Sequence, residues 1–142
     1  MGKGATFDND LLKLIFNAVN ISLIADNTAT TPLTNLYVSL HTADPTSAGN
    51  QSSSEATYTG YARVAVARTT GGFTVTTNSV SPAGTISFPA CTGGTNTITN
   101  FAIGTAASGT GKILYTGTVT PNIAVASGVT PQLTTASTVT ES

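Results

Sequence analysis

At 142 residues the chain has the length of one ordinary domain, enough to bury a core without a metal or disulfide staple. Charged residues make up only 8% of it, against about 25% in a typical soluble protein, so Thr, Ser, Asn and Gly carry solubility through hydroxyls and amides. The net charge of -1, with Lys3, Lys13, Arg63, Arg68 and Lys112 scattered, leaves no basic surface to displace counterions from nucleic acid, and the single Cys91 excludes an intrachain disulfide and offers no metal-ligand cluster.

Residues 1–6 are Gly-rich and are expected to form a flexible arm. From Phe7 the spacing turns helical: Phe7, Leu11, Leu14, Ile15 and Ala18 share one face, with Asp8 and Asp10 near the positive N-terminal end. Leu12, Phe16 and Val19 make a second apolar stripe, which a helix with one face in water would not carry. Either the helix is wedged between a sheet and a loop, or one stripe meets another subunit. Lys13, Asn17, Asn20 and Ser22 interrupt the apolar run and the acids stand where a signal peptide would be basic, so the chain is expected to be made in the cytoplasm and not inserted in a membrane.

Asn20 to Asn35 reads as loop or short strand. Leu36 to Thr42 alternates Leu36, Val38 and Leu40 against Tyr37, Ser39 and His41, the period of a half-buried strand, and Asp44-Pro45 ends it. Residues 46–57 hold almost nothing apolar, so the expectation is a mobile surface loop. Tyr58 to Ala67 returns to strand, with Ala62, Val64 and Val66 opposite Tyr61, Arg63 and Ala65. Gly71-Gly72 then punctuates a hairpin into Phe73 to Thr77. Asn78 to Ala83 looks like a strand end or turn, and Thr85 to Phe88 like a short strand closed by Pro89. Thr97 to Ile103 and Ile113 to Thr120 flank a turn at 108–112, Pro121 is expected to break the ladder, and Ile123 to Ala126 and Val129 to Leu133 are the last strand candidates. Residues 134–142 read as a polar arm. About eight short strands at turn-separated spacing predict a mainly β chain, an antiparallel jelly-roll-like sandwich with one short N-terminal helix, in a single domain over 1–142 with an arm and helix at 1–20.

No catalytic constellation appears. His41 is the sole histidine, and Asp44 and the many serines let a triad be drawn on paper, but nothing such as a GxSxG elbow would position it; a strand-end surface or edge residue bonding a loop is the plainer reading. The carboxylates are too dispersed for a calcium loop, and GTGK at 109–112 precedes a strand rather than opening a helix, so it reads as a hairpin turn. No cofactor or metal is expected. Arg63 and Arg68, five residues apart on a strand, point to opposite faces. Each is either solvated and paired with an acid such as Glu55, or one anchors a neighbouring subunit, as Arg and Tyr do at interfaces. The candidate interface residues are therefore Phe7, Leu11, Leu12 and Phe16 on the helix, with Tyr61, Arg63 and Arg68 on the strand.

LYVSLHTADPT from Leu36, GYARVAV from Gly60, SFPA from Ser87 and FAIGTAASGTGKILYTG from Phe101 together resemble a group of small phage virion proteins. Members commonly begin with a short helix and carry a YVALFTADPT-like segment, a polar loop, a GYARQAV-like strand, an FP strand and a GIFDAASGGNLL-like hairpin. The likeness spans about Phe7 to Val125, and this chain departs from it in the less acidic hairpin and the Thr-rich C-terminus. Such proteins are often labelled tail-fibre proteins, and sandwiches of this size also serve as head cement or decoration. The resemblance implies a non-enzymatic structural protein of the virion, assembled in the host cytoplasm.

The favoured expectation is a capsid cement or decoration protein, with the major capsid protein and copies of itself as partners, forming a homo-oligomer in the virion without nucleic acid or membrane. Its alternative is a tail-fibre or other tail-associated component. A carbohydrate-binding module is a further alternative, poorly equipped without Trp although Tyr37, Tyr58 and Tyr61 cluster in sequence. Removal of residues 1–20 is expected to leave the sandwich folded.

Overall fold

The computed structural model describes residues 5–20, 33–46 and 48–141. The flexible arm expected at 1–6 and the irregular stretch between Asn20 and Asn35 fall largely outside them. The chain is mainly β: after helix α1 (Ala5–Asn17) come β1 (Asn35–His41), β2 (Val64–Ala67), β3 (Phe73–Thr76), β4 (Ser79–Pro82), β5 (Ile86–Ser87), β6 (Asn96–Gly104), β7 (Ile113–Val125), β8 (Gln132–Leu133) and β9 (Val139–Thr140).

All strand pairs are antiparallel, in a four-stranded sheet ordered β2-β1-β6-β7, a three-stranded sheet β3-β4-β9 and a two-stranded β5-β8. Their inner faces meet. Val38 and Ile103 of the large sheet, Phe73 and Val80 of the second, and Ile86 and Leu133 of the third surround a residual space of about 10 Å³, so the interior is filled by side chains and has no room for a ligand.

Helix α1 belongs to this core. Leu12 and Phe16 are fully buried, and the Phe16 ring meets Phe73 edge-on at 4.8 Å between centroids and Tyr115 at 5.6 Å. Two asparagines fix the helix along the outer edge of β3: Asn9 Nδ2 donates to the Thr77 carbonyl at 2.6 Å and Asn17 Nδ2 to the Phe73 carbonyl at 3.0 Å. Eight residues of helix rise about 12 Å and four of strand about 13 Å, so the two spacings match. An edge that could recruit a foreign strand is thereby covered. The helix is a wall of the sandwich, and the expectation that the sheets fold without residues 1–20 does not fit this packing.

Four other expectations change. Asn78 to Ala83, expected as a strand end or turn, contains β4, and the polar tail contributes β9, with Glu141 N donating to the Asn78 carbonyl at 2.8 Å. Pro121 does not end β7: the register jumps from Ile98 opposite Ile123 to Asn100 opposite Thr118, so the strand bulges at residues 119–122 and resumes. β1 is covered on both faces, because Ser39 and His41 are as buried as Leu36, Val38 and Leu40.

Candidate functional site

The polar face of β1 is covered by Gln51, Ser53 and Glu55, which lie in the stretch 46–57 expected to be mobile. Gln51 is its plug. Fully buried, it donates from Nε2 to the Tyr37 carbonyl at 3.1 Å and accepts the Ala106 N–H on Oε1 at 3.0 Å, while its own N–H donates to the Gly111 carbonyl at 2.9 Å. A Cβ at Gly104 or Gly111 would run into the Gln51 amide, which is why the hairpin between β6 and β7 needs glycine there. Polar residues can hold a loop down when every buried donor and acceptor is matched, and counting apolar side chains misses that.

A second anchor is the ion pair of Glu55 and Arg63. Arg63 Nε and Nη2 donate to Glu55 Oε1 and Oε2 at 2.6 and 2.8 Å, a bidentate fork, and Nη1 and Nη2 also donate to the carbonyls of Ala106 and Gly109 at 2.9 and 2.7 Å. The Arg63 side chain is only 2% exposed. Tyr61 joins the cluster, its hydroxyl donating to Glu55 Oε1 at 2.9 Å and accepting the Leu40 N–H at 3.1 Å. Hydrogen bonding to Glu55 raises the Arg63 pKa, and burial first, then the adjacent carboxylate, pushes the Tyr61 hydroxyl up.

His41 completes the loop contact. Its Nδ1 lies 2.8 Å from the Ser53 carbonyl, which can only accept, so this nitrogen carries the proton. Neutral Nε2 then accepts from Ser39 Oγ at 2.8 Å. The ring is fully buried, and desolvation lowers its pKa against the opposing effects of the Ser53 carbonyl and Glu55. A serine on an imidazole looks like a nucleophile and base, but Ser39 is also fully buried and the other ring nitrogen meets a backbone carbonyl rather than an acid. Asp44 is engaged elsewhere, accepting the Thr46 N–H on Oδ1 at 2.9 Å. The arrangement holds a loop and cannot admit a substrate. Among the described residues no three His, Cys, Asp or Glu side chains converge on a possible metal position, and no helix is long and apolar enough to cross a membrane.

Arg68 points the other way from Arg63, as strand alternation requires, and caps the helix. It donates from Nε to the Ile15 carbonyl at 2.7 Å, from Nη2 to Leu14 at 2.8 Å and from Nη1 to Leu33 at 2.7 Å. The last turn of α1 has no basic residue of its own, so Arg68 supplies across space the positive charge that a helix C-terminus favours.

Of the candidate interface residues, Leu12 and Phe16 therefore face the core of their own chain, Tyr61 and Arg63 are bound up in the loop cluster, and Arg68 holds the helix. Leu11 is half-buried, and the side chain of Phe7 lies outside what is described. The pairing of Arg63 with Glu55 is the one weighed from sequence. Gln51 and its two glycines were not singled out there, although a lone Gln in a Ser/Gly loop beside a Gly-rich hairpin was the available signal. The three tyrosines make no aromatic platform: Tyr58 is buried, Tyr61 stacks at 6.5 Å on Phe88, and Tyr37 is half-buried in β1.

A family model described as podophage GP4 fiber I protein gp80 covers residues 7–141. No curated protein matches the chain.

Proposed function

The chain belongs to the podophage GP4 fiber I protein gp80 family, and we propose that it serves as a rigid building block of a fibre attached to the phage tail. As a member of that family it is a non-enzymatic structural protein and a part of the virion. The observation that carries the tail assignment is the family match across nearly the whole chain.

The physical reading supports the same role. A sandwich with a filled interior and every loop contact on β1 satisfied offers surfaces and edges rather than a pocket. The capsid cement reading leaned on polar arms, and its support weakens because the C-terminal arm is β9 and the helix is core. The partners proposed are accordingly tail subunits and further copies of this chain, in place of the major capsid protein. Immunogold labelling of intact particles with an antibody to the chain tests the assignment: gold confined to the tail is expected, and gold over the whole capsid would return the protein to the cement role.

A further inference from the structure

The turn 50–53 is closed on itself. Ser53 N donates to the Asn50 carbonyl at 2.9 Å, Asn50 N to Ser53 Oγ at 3.0 Å and Ser52 N to Asn50 Oδ1 at 2.9 Å, so the turn can move without coming apart. Gln51 and His41 fasten it to the sheet. Gln51 does so through its bonds to Tyr37, Ala106 and Gly111, and His41 through Nδ1–H on the Ser53 carbonyl at 2.8 Å. Behind the turn, Ser54 holds a left-handed φ of 53°, a junction under strain, and its carbonyl accepts the Thr42 N–H at 2.8 Å as a separate hold.

The surface beneath the turn is polar. Ser39, His41 and, opposite His41 in register, Asn100 lie on that face, whereas Leu36, Val38 and Leu40 face the core. Lifting the turn uncovers polar side chains and leaves the apolar packing closed, and a protein opens first where little apolar area is exposed.

Of these holds the imidazole alone changes charge between about pH 7 and 5. Its place suits the neutral ring, because its two nitrogens meet the Ser53 carbonyl and the Ser39 hydroxyl. A proton added at Nε2 would turn the Ser39 hydroxyl toward the Ala102 carbonyl, 3.4 Å away and a poor acceptor at that range. Of the charged groups around the ring, Glu55 and Asp44 on the loop side favour the cation and Arg63 before β2 opposes it. Glu55 already accepts two N–H groups of Arg63 and the Tyr61 hydroxyl, and Asp44 accepts the Thr46 N–H. On the other side β6 presents uncharged Asn100 and Ala102. In water the same ring takes the proton without this desolvation.

We propose that the turn 50–53 is a proton-released plug: charging of His41 lifts it, with Gln51, out of the notch at Gly104 and Gly111, while the sheets beneath stay folded. The closed form binds the proton more weakly than the open one, so it prevails at neutral pH and loses ground as pH falls. With the open ring at the ordinary imidazole value of about 6.5, opening gains up to about 25-fold between pH 7 and 5. Arg63 grips the Ala106 and Gly109 carbonyls in either form, which confines the release to the plug.

Hydrogen exchange and ring NMR of the full-length protein test the proposal, and the sole histidine makes the ring signal unambiguous. The amides of Gln51 and Ala106, which the seated plug protects, are expected to exchange about tenfold or more faster than those of Val38 and Ile103 in the paired core strands. From pH 7 to 5 they are expected to speed up about 10- to 25-fold beyond the change in chemical exchange rate. At pH 7 the ring is expected to be neutral with its proton on Nδ1, and in His41→Asn the acceleration is expected to vanish. Exchange of residues 51 and 106 in step with 38 and 103 at both pH values would overturn the proposal, since global unfolding alone would then release the plug. A ring already charged at pH 7, or no acceleration in the wild type, would overturn it without recourse to the variant, and so would a folded His41→Asn that still accelerates.

Discussion

Arg63 and Glu55 show how much one buried pair can organise. The guanidinium joins the loop after β1, the lead-in to β2 and the hairpin before β7, and its burial means that a lone partner would be left without compensation. Arg63→Ala is expected to cost about 3 kcal/mol, read as a lower urea midpoint. Arg63→Lys is expected to recover less than half of that loss, because one ammonium cannot reproduce the fork to Glu55 and also reach the Ala106 and Gly109 carbonyls. Full rescue by Lys would show that only the charge matters. His41 gives a pH signature. Its pKa is lowered on folding, so on acidification the unfolded chain takes up the proton first, and stability falls from about pH 6.5 downward until the folded ring titrates. The melting temperature of the wild type is expected to drop more steeply between pH 7 and 5 than that of His41→Asn, and parallel slopes would contradict the assignment. At the end of α1, Ala18 holds a left-handed φ of 54° while Val19 N donates to the Lys13 carbonyl at 3.1 Å, a closing bond of a kind that glycine usually allows. Ala18→Gly is expected to stabilise the protein by up to about 1 kcal/mol in the same urea titration.

The elements divide by the range of the forces that place them. The helix and the alternation of β1 were legible because each announces its period within a few residues: Leu36, Val38 and Leu40 do point inward, whereas in β7 Tyr115 and Val119 do so but Leu114, from the other face, also packs against the core. The strand β4 was not, since SVSP has one strong β-former and becomes a strand only between β3 and β9. The covering of β1 was hidden for a similar reason. It depends on Gln51 meeting Ala106 in a hairpin 55 residues onward and on Arg63, held by Glu55, reaching the same hairpin, and polar matching has no periodicity to read. Arg68 at the helix end is likewise a contact across 53 residues. That the helix is a core wall leads to a direct expectation. Removal of residues 1–20 exposes the face that Leu12 and Phe16 cover and frees the β3 edge, so the truncated chain is expected to aggregate or to lose cooperative unfolding. A sharp melting transition for the truncated chain would mean that the sheets stand alone.

At the scale of the molecule, low charge, a filled interior and satisfied loops describe a part made to be built with. Family membership fixes the kind of assembly as a phage virion and its role as a fibre component, while the packing explains why no chemistry is found: the one imidazole and the serine beside it are sealed under a loop. Copy number is where a tail fibre and a capsid cement differ without overlap, since the tail is a single appendage and the shell a lattice of many subunits. Quantitative mass spectrometry of purified particles, scaled to the major capsid protein, measures it directly. A tail fibre component is expected in a small fraction of the capsid protein's copies, and near-equal numbers of the two proteins would contradict the account.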